Sequence, residues 1–369
     1  MKWSPQQDGA LLKAAEWLAN SDQPVFRIFG YAGTGKTTLA RHLAEGVKGH
    51  VAFGAYTGKA AMMMRKNGVP DAGTIHSMIY HHELDPKSGT FKSTLDDHGV
   101  AASADLIVID ECSMVDETIG ADLLSFGKPI LVLGDPAQLP PVKGGGFFTN
   151  HDPDVMLTEI HRQAADNPII AMATTIREGG RPSHGTYGDS KIIPRSSVTE
   201  EDIMKADQVL VGTHAKRATY NARMRTKLGR KSHMPEETDR LVCLRNDRTH
   251  GLANGSLWTV HRVKNKIPGA IADNTVRLVV MSEDFPNAKG VDVSVREEFF
   301  QGCGNQVEWK ERRGTQEFDY GYALTVHKAQ GSQWDSVYVL DESGVFRDSG
   351  PRWLYTAITR AAEKITVVA

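Results

Sequence analysis

The amino-acid sequence predicts an α/β protein with two parallel-sheet domains and a small inserted β-barrel. In the first 160 residues, short apolar runs alternate with helical or loop segments, an order that places parallel strands between layers of helices. Apolar runs at residues 208–211 and 336–340 indicate a second sheet of the same kind. Between residues 236 and 313, strand-like runs separated by Asn-Gly and Pro-Gly turns predict the barrel.

The individual elements follow in chain order. The predicted strands of the first domain are Val25–Phe29, Val51–Ala55, Leu106–Ile109 and Ile130–Leu133. An insertion at about residues 80–103 carries the turn signals Asp85-Pro86 and Ser88-Gly89, so we expect it to form a small β-hairpin. The predicted domain limits are residues 1–160 with this hairpin inside them, residues 161–235 together with 314–369, and residues 236–313 for the barrel.

The composition is ordinary for a soluble globular protein and excludes several classes. Of the 369 residues, 40% are hydrophobic and 24% are charged. No apolar run approaches the roughly 18 residues of a membrane span, and the N-terminus lacks the apolar core of a signal peptide. The widely spaced Cys112, Cys243 and Cys303 argue against a disulfide framework or structural zinc and favour the reducing cytoplasm. Because the net charge is only −2, a nucleic-acid partner would need a local positive surface.

The most informative motif is the stretch GYAGTGKTT, from Gly30 to Thr38. It matches the spacing G-x-x-x-x-G-K-[ST], in which backbone amides surround phosphates and a lysine reaches the terminal ones. A predicted strand precedes the loop and a predicted helix follows it, so free N–H groups at the helix N-terminus are aimed at an anion. The sequence therefore predicts ATP binding through the residues Gly30, Ala32, Gly33, Thr34, Gly35, Lys36, Thr37 and Thr38.

Polar side chains follow two further predicted strands, at the sheet edge where ligands bind. We expect Asp110 to hold magnesium together with the hydroxyl of Thr37, and Glu111 to orient and deprotonate the attacking water. Gln138, which follows the strand at Ile130–Leu133, is placed to sense the γ-phosphate, or it is simply a solvated loop amide.

Two arginines complete the predicted catalytic set with Lys36, Glu111 and Gln138. Arg162 lies where the first α/β unit ends, and Arg360 lies near the C-terminus. Guanidinium groups supplied to a phosphate site from another domain stabilise charge on the transferring phosphoryl group. This arrangement predicts that hydrolysis depends on domain closure, although any single arginine is more often a surface residue.

The motifs occur in a fixed order along nearly the whole chain. Beyond the phosphate loop they are Thr57–Ala61, Thr74–His76, Asp110–Met114, Gly134–Pro141, His161–Gln163, Thr325–Ser332 and Tyr355–Arg360. This order resembles the superfamily 1 helicases and, within them, the RecD/Dda-type branch. The resemblance implies two RecA-like P-loop domains, a pin-like hairpin in the first and an SH3-like barrel in the second. One departure is Gln333, since the family usually has an acid at this position after Gly331-Ser332.

The same resemblance implies roles for residues that the loop motif does not cover. Gly331 is implied in nucleotide binding. Gln7 corresponds to the family's adenine-reading glutamine, but it is also placed to close a capping box with Ser4 at the start of a helix. The implied nucleic-acid contacts are Thr57, Lys59, Thr74, His76, Asn221, Thr325 and His327, with Phe91 at the hairpin as a strand-separating wedge.

For these contacts the sequence leaves structural alternatives open. The threonines, Lys59 and the histidines are also typical of helix caps and turns, and Phe91 is equally suited to packing the base of the hairpin. The run from Lys216 to Lys231 has seven basic residues and no acid, which predicts either a local positive field or a solvated helix face. The adjacent His81 and His82 resemble a pair of metal ligands, but we expect no metal other than magnesium.

The combined prediction is a monomeric ATP-dependent DNA helicase, and the resemblance alone implies that it moves 5′→3′. Its expected partners are single-stranded DNA and duplex DNA with a 5′ overhang, with no membrane and with possible replication or recombination proteins. One alternative is an ATPase of another class, such as a kinase or a transporter ATPase. A second alternative is a DNA-stimulated ATPase that remodels protein–nucleic acid complexes, or acts on RNA, without separating strands.

Overall fold

The computed structural model describes residues 3–20, 22–84, 91–141, 144, 146–159, 167–264 and 274–369, with the backbone alone described at residues 82–84 and 91–92. It confirms the predicted α/β class with parallel sheets. Within these residues, no helix is long and apolar enough to cross a membrane.

The first domain contains six helices and eight strands among the described residues. The helices are α1 (Pro5–Asn20), α2 (Lys36–Glu45), α3 (Gly58–Lys66), α4 (Ile75–Ile79), α5 (Val100–Ser103) and α6 (Glu117–Ser125). The strands are β1 (Val25–Gly30), β2 (Val51–Ala55), β3 (Gly73–Thr74), β4 (Tyr80–Leu84), β5 (Phe91–Leu95), β6 (Leu106–Asp110), β7 (Ile130–Gly134) and β8 (Val155–Leu157).

Six of these strands form one parallel sheet in the order β3-β2-β6-β7-β1-β8. The residues of β6 alternate between two cores: Ile107 and Ile109 face one side, and Leu106 and Val108 face the other. Both faces of the sheet are therefore covered, as in other parallel sheets between helices. The crossovers bring the carboxyl ends of β1, β6 and β7 together at one edge.

The second half of the chain supplies the remaining elements. The helices are α7 (Pro168–Arg177), α8 (Glu200–Lys205), α9 (His214–Lys227), α10 (Glu297–Phe300) and α11 (Gly350–Ile358). The strands are β9 (Gly185–Tyr187), β10 (Ser190–Ile193), β11 (Gln208–Val211), β12 (Arg240–Cys243), β13 (Leu257–Lys264), β14 (Thr275–Ser282), β15 (Val291–Arg296), β16 (Phe318–Tyr320), β17 (Ala323–Thr325), β18 (Trp334–Leu340) and β19 (Ala361–Val368).

A second six-stranded sheet has the order β17-β11-β18-β19-β10-β9 and is parallel except for the β9–β10 pair. Between its strands β11 and β17, the chain forms an antiparallel sheet of order β15-β14-β13-β12-β16. A bridge between Val295 and Gln316 joins the two edges of this inserted sheet. Its last strand, β16, lies beyond residue 313, because Phe318–Tyr320 pairs with β12 before the chain returns to the second parallel sheet.

The predicted hairpin region contains the antiparallel pair β4–β5, with Tyr80 opposite Leu95 and Leu84 opposite Phe91. The residues that connect the two strands, 85–90, lie outside the described part of the chain.

Candidate functional site

The loop between β1 and α2 has the backbone that its glycines allow. Gly33 and Gly35 adopt left-handed φ values of 81° and 77°, a conformation that side chains disfavour. A Cβ atom on Gly30 would lie 2.7 Å from Thr34 Oγ1 and 2.8 Å from Leu157 Cβ. α2 begins at Lys36 with no side-chain cap, so its first N–H groups are free for an anion.

Lys36 lies folded over this loop. Its Nζ atom donates to the carbonyl of Gly30 at 2.6 Å and to that of Tyr31 at 3.0 Å. Weak neutral acceptors hold the ammonium group inside the cradle, where phosphate oxygens are stronger acceptors for the same protons.

The next two predicted groups meet at the ends of α2 and β6. Thr37 Oγ1 donates to Asp110 Oδ2 at 2.7 Å, and the N–H of Glu111 donates to Asp110 Oδ1 at 2.8 Å. Glu111 itself has φ 54° and ψ 44°, a conformation that is uncommon for a side chain other than glycine and concentrates at functional sites. Burial raises the pKa of Glu111, and the positive charge of Arg360 opposes that rise.

The crevice above the loop has a volume of about 320 Å³ and receives residues from both parallel-sheet domains. It brings together most of the residues predicted to bind or hydrolyse the nucleotide. They are Ala32, Gly33, Gly35, Lys36, Thr37, Thr38, Asp110, Glu111, Gln138, Gly331 and Arg360. Gly30 and Thr34 lie behind this lining and shape the loop, while Arg162 is outside the described residues.

Arg360 enters the crevice from the second domain. Its guanidinium donates to the carbonyls of Ser332 at 3.1 Å and Thr356 at 3.2 Å and to Thr359 Oγ1 at 3.3 Å. These are all neutral acceptors, and no carboxylate of the described chain is ion-paired with Arg360. The side chain is thus fixed in direction while its charge stays available to an anion.

Gln138 lies at the end of the β7 loop and is 6% exposed. Its N–H bonds the carbonyl of Asp135 at 3.1 Å, whereas its Oε1 atom has no partner among the described residues. A buried amide oxygen without a partner is costly, so this side chain is poised for a group that enters the crevice. The solvated-amide alternative for Gln138 does not fit its burial.

One contact that the motifs did not assign joins the two domains behind the crevice. The hydroxyl of Tyr355, on α11, donates to Asp135 Oδ2 at 2.7 Å and accepts from the N–H of Ala32 at 3.4 Å. Thr356 accepts from the N–H of Leu139 at 2.9 Å. Tyr355 stands in the motif around Arg360, yet nothing in its spacing says that its partner is 220 residues away.

A second contact across the domains involves the phosphate loop directly. Arg177, the last residue of α7, places its guanidinium carbon 3.6 Å from the centre of the Tyr31 ring. Cations attract aromatic faces at this distance.

Gln7 forms the predicted capping box. Its N–H donates to Ser4 Oγ at 3.3 Å, and its Oε1 accepts from the N–H of Ser4 at 3.0 Å. Its Nε2 also donates to the carbonyl of Thr34 at 3.0 Å. The amide therefore supports both the N-terminus of α1 and the phosphate loop.

Three predicted nucleic-acid residues are threonines that cap local structure. Thr57 Oγ1 accepts from the N–H of Ala60 at 3.1 Å, and Thr74 Oγ1 accepts from that of Ser77 at 3.3 Å. Thr325 likewise accepts from a turn N–H at 3.3 Å. Each acceptor leaves the hydroxyl proton for another partner.

Lys59 and Asn221 differ from the sequence expectation, because the structure places neither on an open surface. Lys59 is 4% exposed and ion-paired with Asp284 of the inserted sheet, and burial lowers the pKa of Lys59. Asn221 is 4% exposed, and its amide bonds both polar backbone groups of Ala323 at 2.9 and 3.1 Å. Both side chains connect parts of the fold.

The predicted histidines do reach the surface. His76 is exposed and lies between the rings of Tyr56 at 5.9 Å and Tyr80 at 6.0 Å. His327 is half-buried, and burial lowers the pKa of its ring. The Phe91 side chain lies outside the described residues.

The basic run from Lys216 to Lys231 is largely neutralised within the fold. Arg217 pairs with Asp319, Arg225 with Asp239, Lys227 with Glu200, and Arg230 with Glu236. The structure therefore favours a structural role for much of this helix over a continuous positive field.

Two known protein families match parts of the chain. The AAA domain matches residues 5–196, more than half of the 369 residues, and the UvrD-like helicase C-terminal domain matches residues 320–368.

Relatives and solved structures agree with these matches. The ATP-dependent RecD2 DNA helicase of Deinococcus radiodurans is 30% identical over 360 residues, which cover 91% of this chain and 45% of that protein. The conjugal transfer protein TraA of Rhizobium radiobacter is 25% identical over 376 residues, which cover 92% of this chain and 30% of that protein. This chain thus spans less than half the length of either relative.

A crystal structure of Pif1 helicase from Bacteroides in complex with ADP-AlF3 and single-stranded DNA shares the fold. It covers 100% of this chain and 93% of its own, with a TM-score of 0.59 and 20% sequence identity. The AAA domain match covers more than half of the chain, a UvrD-like helicase domain follows at its C-terminal end, and both sheets line one phosphate crevice. The chain therefore belongs to the superfamily 1 helicases of the RecD type.

Proposed function

We propose that this chain is an ATP-dependent DNA helicase, which hydrolyses ATP between its two RecA-like domains while it moves 5′→3′ along single-stranded DNA. The observation that carries the proposal is the shared crevice: Lys36 and Glu111 enter it from the first domain, and Arg360 enters it from the second. A site divided in this way makes hydrolysis sensitive to the relative position of the domains. Two similar proteins support the substrate, since one is a DNA helicase and the other was crystallised with single-stranded DNA.

Magnesium fits the oxygen pair beside the loop. The Thr37 hydroxyl and the Asp110 carboxylate lie 2.7 Å apart, and Mg²⁺ prefers one or two such oxygens together with substrate phosphates and water. No group of three or more metal-ligating side chains occurs among the described residues, consistent with an ion that is held jointly with the nucleotide. When bound, Mg²⁺ would neutralise charge on the phosphate oxygens.

Each residue of the crevice then has a separate role in the hydrolysis step. Lys36 leaves the two loop carbonyls for the phosphates, and the ionised Glu111 orients the attacking water and takes its proton. Arg360 stabilises the charge that spreads over the transferring phosphoryl group. Gln138 offers its free amide oxygen to the attacking water, and the N–H group of the same amide can donate to the γ-phosphate. Arg162 completes this set as a second guanidinium, and Gln7 reads the adenine.

We further propose the finer architecture that the family implies. The joined edges of the inserted sheet support a closed SH3-like barrel, which runs to Tyr320. The β4–β5 pair supports a pin-like element with Phe91 as the wedge. The free thiols of all three cysteines support a cytoplasmic location, and the chain acts as a monomer.

The deciding experiment compares two partial duplexes with equal paired regions, one with a 5′ single-stranded overhang and one with a 3′ overhang. We expect ATP-dependent unwinding of the 5′ substrate only, together with an ATPase rate that single-stranded DNA stimulates. Stimulated hydrolysis without unwinding of either substrate would support a remodelling ATPase instead. An ATPase rate that DNA leaves unchanged would contradict both functions.

A further inference from the structure

The loop that connects β18 to α11 has an exposed tip on the second domain. Val345 at this tip is 61% exposed. The neighbouring Phe346 is half-buried, and Arg347 is exposed. Arg347 has φ 46° and ψ −120°, so the loop keeps an unfavourable backbone conformation. Such strain persists where the surrounding structure holds a functional segment in place.

The ring of Phe346 is held on three sides. It stacks on the fully buried Trp353 with centres 5.6 Å apart and an angle of 12° between the planes. It contacts the ring of His327, with centres 5.5 Å apart at 45°. A Cβ atom on Gly212 would lie 2.9 Å from Phe346 Cε2. The ring is therefore ordered in advance, and because Phe346 is only half-buried, part of the residue stays accessible to a ligand.

The tip is connected to the part of the molecule that is expected to hold the strand. His327 starts the short segment that reaches Gly331, and a Cβ atom on Gly331 would lie 3.4 Å from Thr57 Oγ1 in the first domain. Phe346 thus extends the line of expected strand contacts from the domain boundary onto the second domain. Burial lowers the pKa of His327, which favours an uncharged ring beside the phenyl group.

A nearby helix N-terminus is already occupied by an anion. Glu342 accepts from the N–H groups of Gly212 at 2.7 Å and Thr213 at 3.1 Å, at the start of α9. This carboxylate fills the place that a phosphate would take at a helix N-terminus. An apolar, aromatic tip beside a satisfied helix end suits the flat face of a base better than the backbone of a nucleic acid.

We propose, on the basis of the function proposed above, that Phe346 is a stacking platform for one base of the bound single-stranded DNA. His327 forms the edge of the platform, and Trp353 forms its floor. Aromatic stacking accepts every base, because each base has a π-face. This site therefore grips the strand without reading its sequence, as a translocating enzyme requires.

The test combines a protein change with a DNA change. Phe346→Leu keeps an apolar side chain on Trp353 but removes the ring, and an abasic oligonucleotide keeps the phosphates but removes the bases. Fluorescence anisotropy measures the affinity of wild type and variant for a short oligothymidylate and for an abasic strand of equal length. We expect Phe346→Leu to weaken oligothymidylate binding at least about fivefold, the lower limit for one stacked base. We expect the preference over the abasic strand to fall by the same factor.

Three controls separate stacking from folding. Phe346→Trp should keep both the affinity and the preference. Phe126→Leu changes a half-buried ring just beyond α6, at the opposite edge of the first sheet, and should leave both unchanged. The ATPase rate without DNA should equal that of wild type in every variant, because Phe346 does not line the nucleotide crevice.

The outcomes are distinct. If the Phe346→Leu variant binds oligothymidylate as tightly as wild type does, the stacking site is overturned. It is also overturned if the affinity of this variant falls equally for oligothymidylate and for the abasic strand. A wild-type chain that binds the two strands equally also overturns the stacking site and leaves the proposed function intact. A wild-type chain that binds neither strand overturns the proposed function and this inference with it.

Discussion

Replacing Tyr355 by phenylalanine tests the contact that joins the two domains behind the crevice. The change removes a single hydroxyl group, which donates to Asp135 at 2.7 Å and accepts from Ala32 at 3.4 Å. Tyr355 is 2% exposed and Asp135 is 1% exposed, so water cannot replace the lost donor. A hydrogen bond to a charged group contributes about 1.5–3 kcal/mol, and the smaller side chain leaves almost no cavity.

This loss of free energy can be converted into a change in melting temperature. For a cooperative unit of about 150–250 residues, 1 kcal/mol corresponds to about 2–4 °C, so Tyr355→Phe should lower the melting temperature by about 3–12 °C. The loss should also depend on pH. Burial raises the pKa of Asp135, and the tyrosine donor stabilises the ionised carboxylate more than the neutral acid. The difference between wild type and variant should therefore grow as pH rises through the pKa of Asp135 and shrink in acid.

Scanning calorimetry across a pH series measures both effects. The matched control is Tyr187→Phe, which removes an exposed hydroxyl that donates to the carbonyl of Ser183 at 2.7 Å. Exposed hydrogen bonds of this kind change stability little, so the control should melt close to wild type at every pH. If Tyr355→Phe and Tyr187→Phe melt together, the buried contact contributes nothing and our account of the domain connection is wrong.

Further predictions concern the crevice and the second domain. Lys36→Ala should abolish ATP hydrolysis, and full activity in a steady-state ATPase assay would remove the lysine from its phosphate role. Arg360→Ala should keep nucleotide binding in an equilibrium titration but lose turnover. For wild type, the ATPase rate should fall in acid as Glu111, with its raised pKa, takes up a proton; Glu111→Gln should lower the rate by about 10²–10⁴-fold and flatten that acid limb. Arg225→Met should remove the shorter of the two ion pairs of the buried Asp239 carboxylate and leave only Arg230 at 3.6 Å, costing up to about 3–5 kcal/mol in urea unfolding.

The residues predicted to bind the nucleotide could be found from the sequence because their roles depend on neighbouring residues in the chain. The spacing from Gly30 to Lys36 determines a backbone that only glycine accepts at several points, and a strand and a helix on either side position it. The acids after β6 were equally accessible, since the ends of parallel strands meet at one edge whatever the details of packing. Capping by Gln7 followed from a four-residue pattern and is confirmed.

The nucleic-acid residues were harder because their roles depend on distant partners. Lys59 has the residue type and the helix position of a phosphate contact, yet Asp284 of the inserted sheet lies against it in the fold. Asn221 stands in a strongly basic helix but turns inward to β17. Burial of a polar side chain is decided by tertiary packing, which no local spacing encodes.

The contacts around Asp135 connect the nucleotide crevice to the second domain. The loop from Asp135 to Leu139 belongs to the first domain, but its polar groups bond Tyr355, Thr356 and Gln330 of the second. A shift of the second domain must therefore move this loop or break buried hydrogen bonds, each of which is costly. Gln138 lies within the same loop and lines the crevice with its amide oxygen free, so such a shift also moves this side chain. Since Gln330 is three residues beyond His327, the single-stranded DNA that we propose for the second domain would be connected to the crevice through this series of direct contacts.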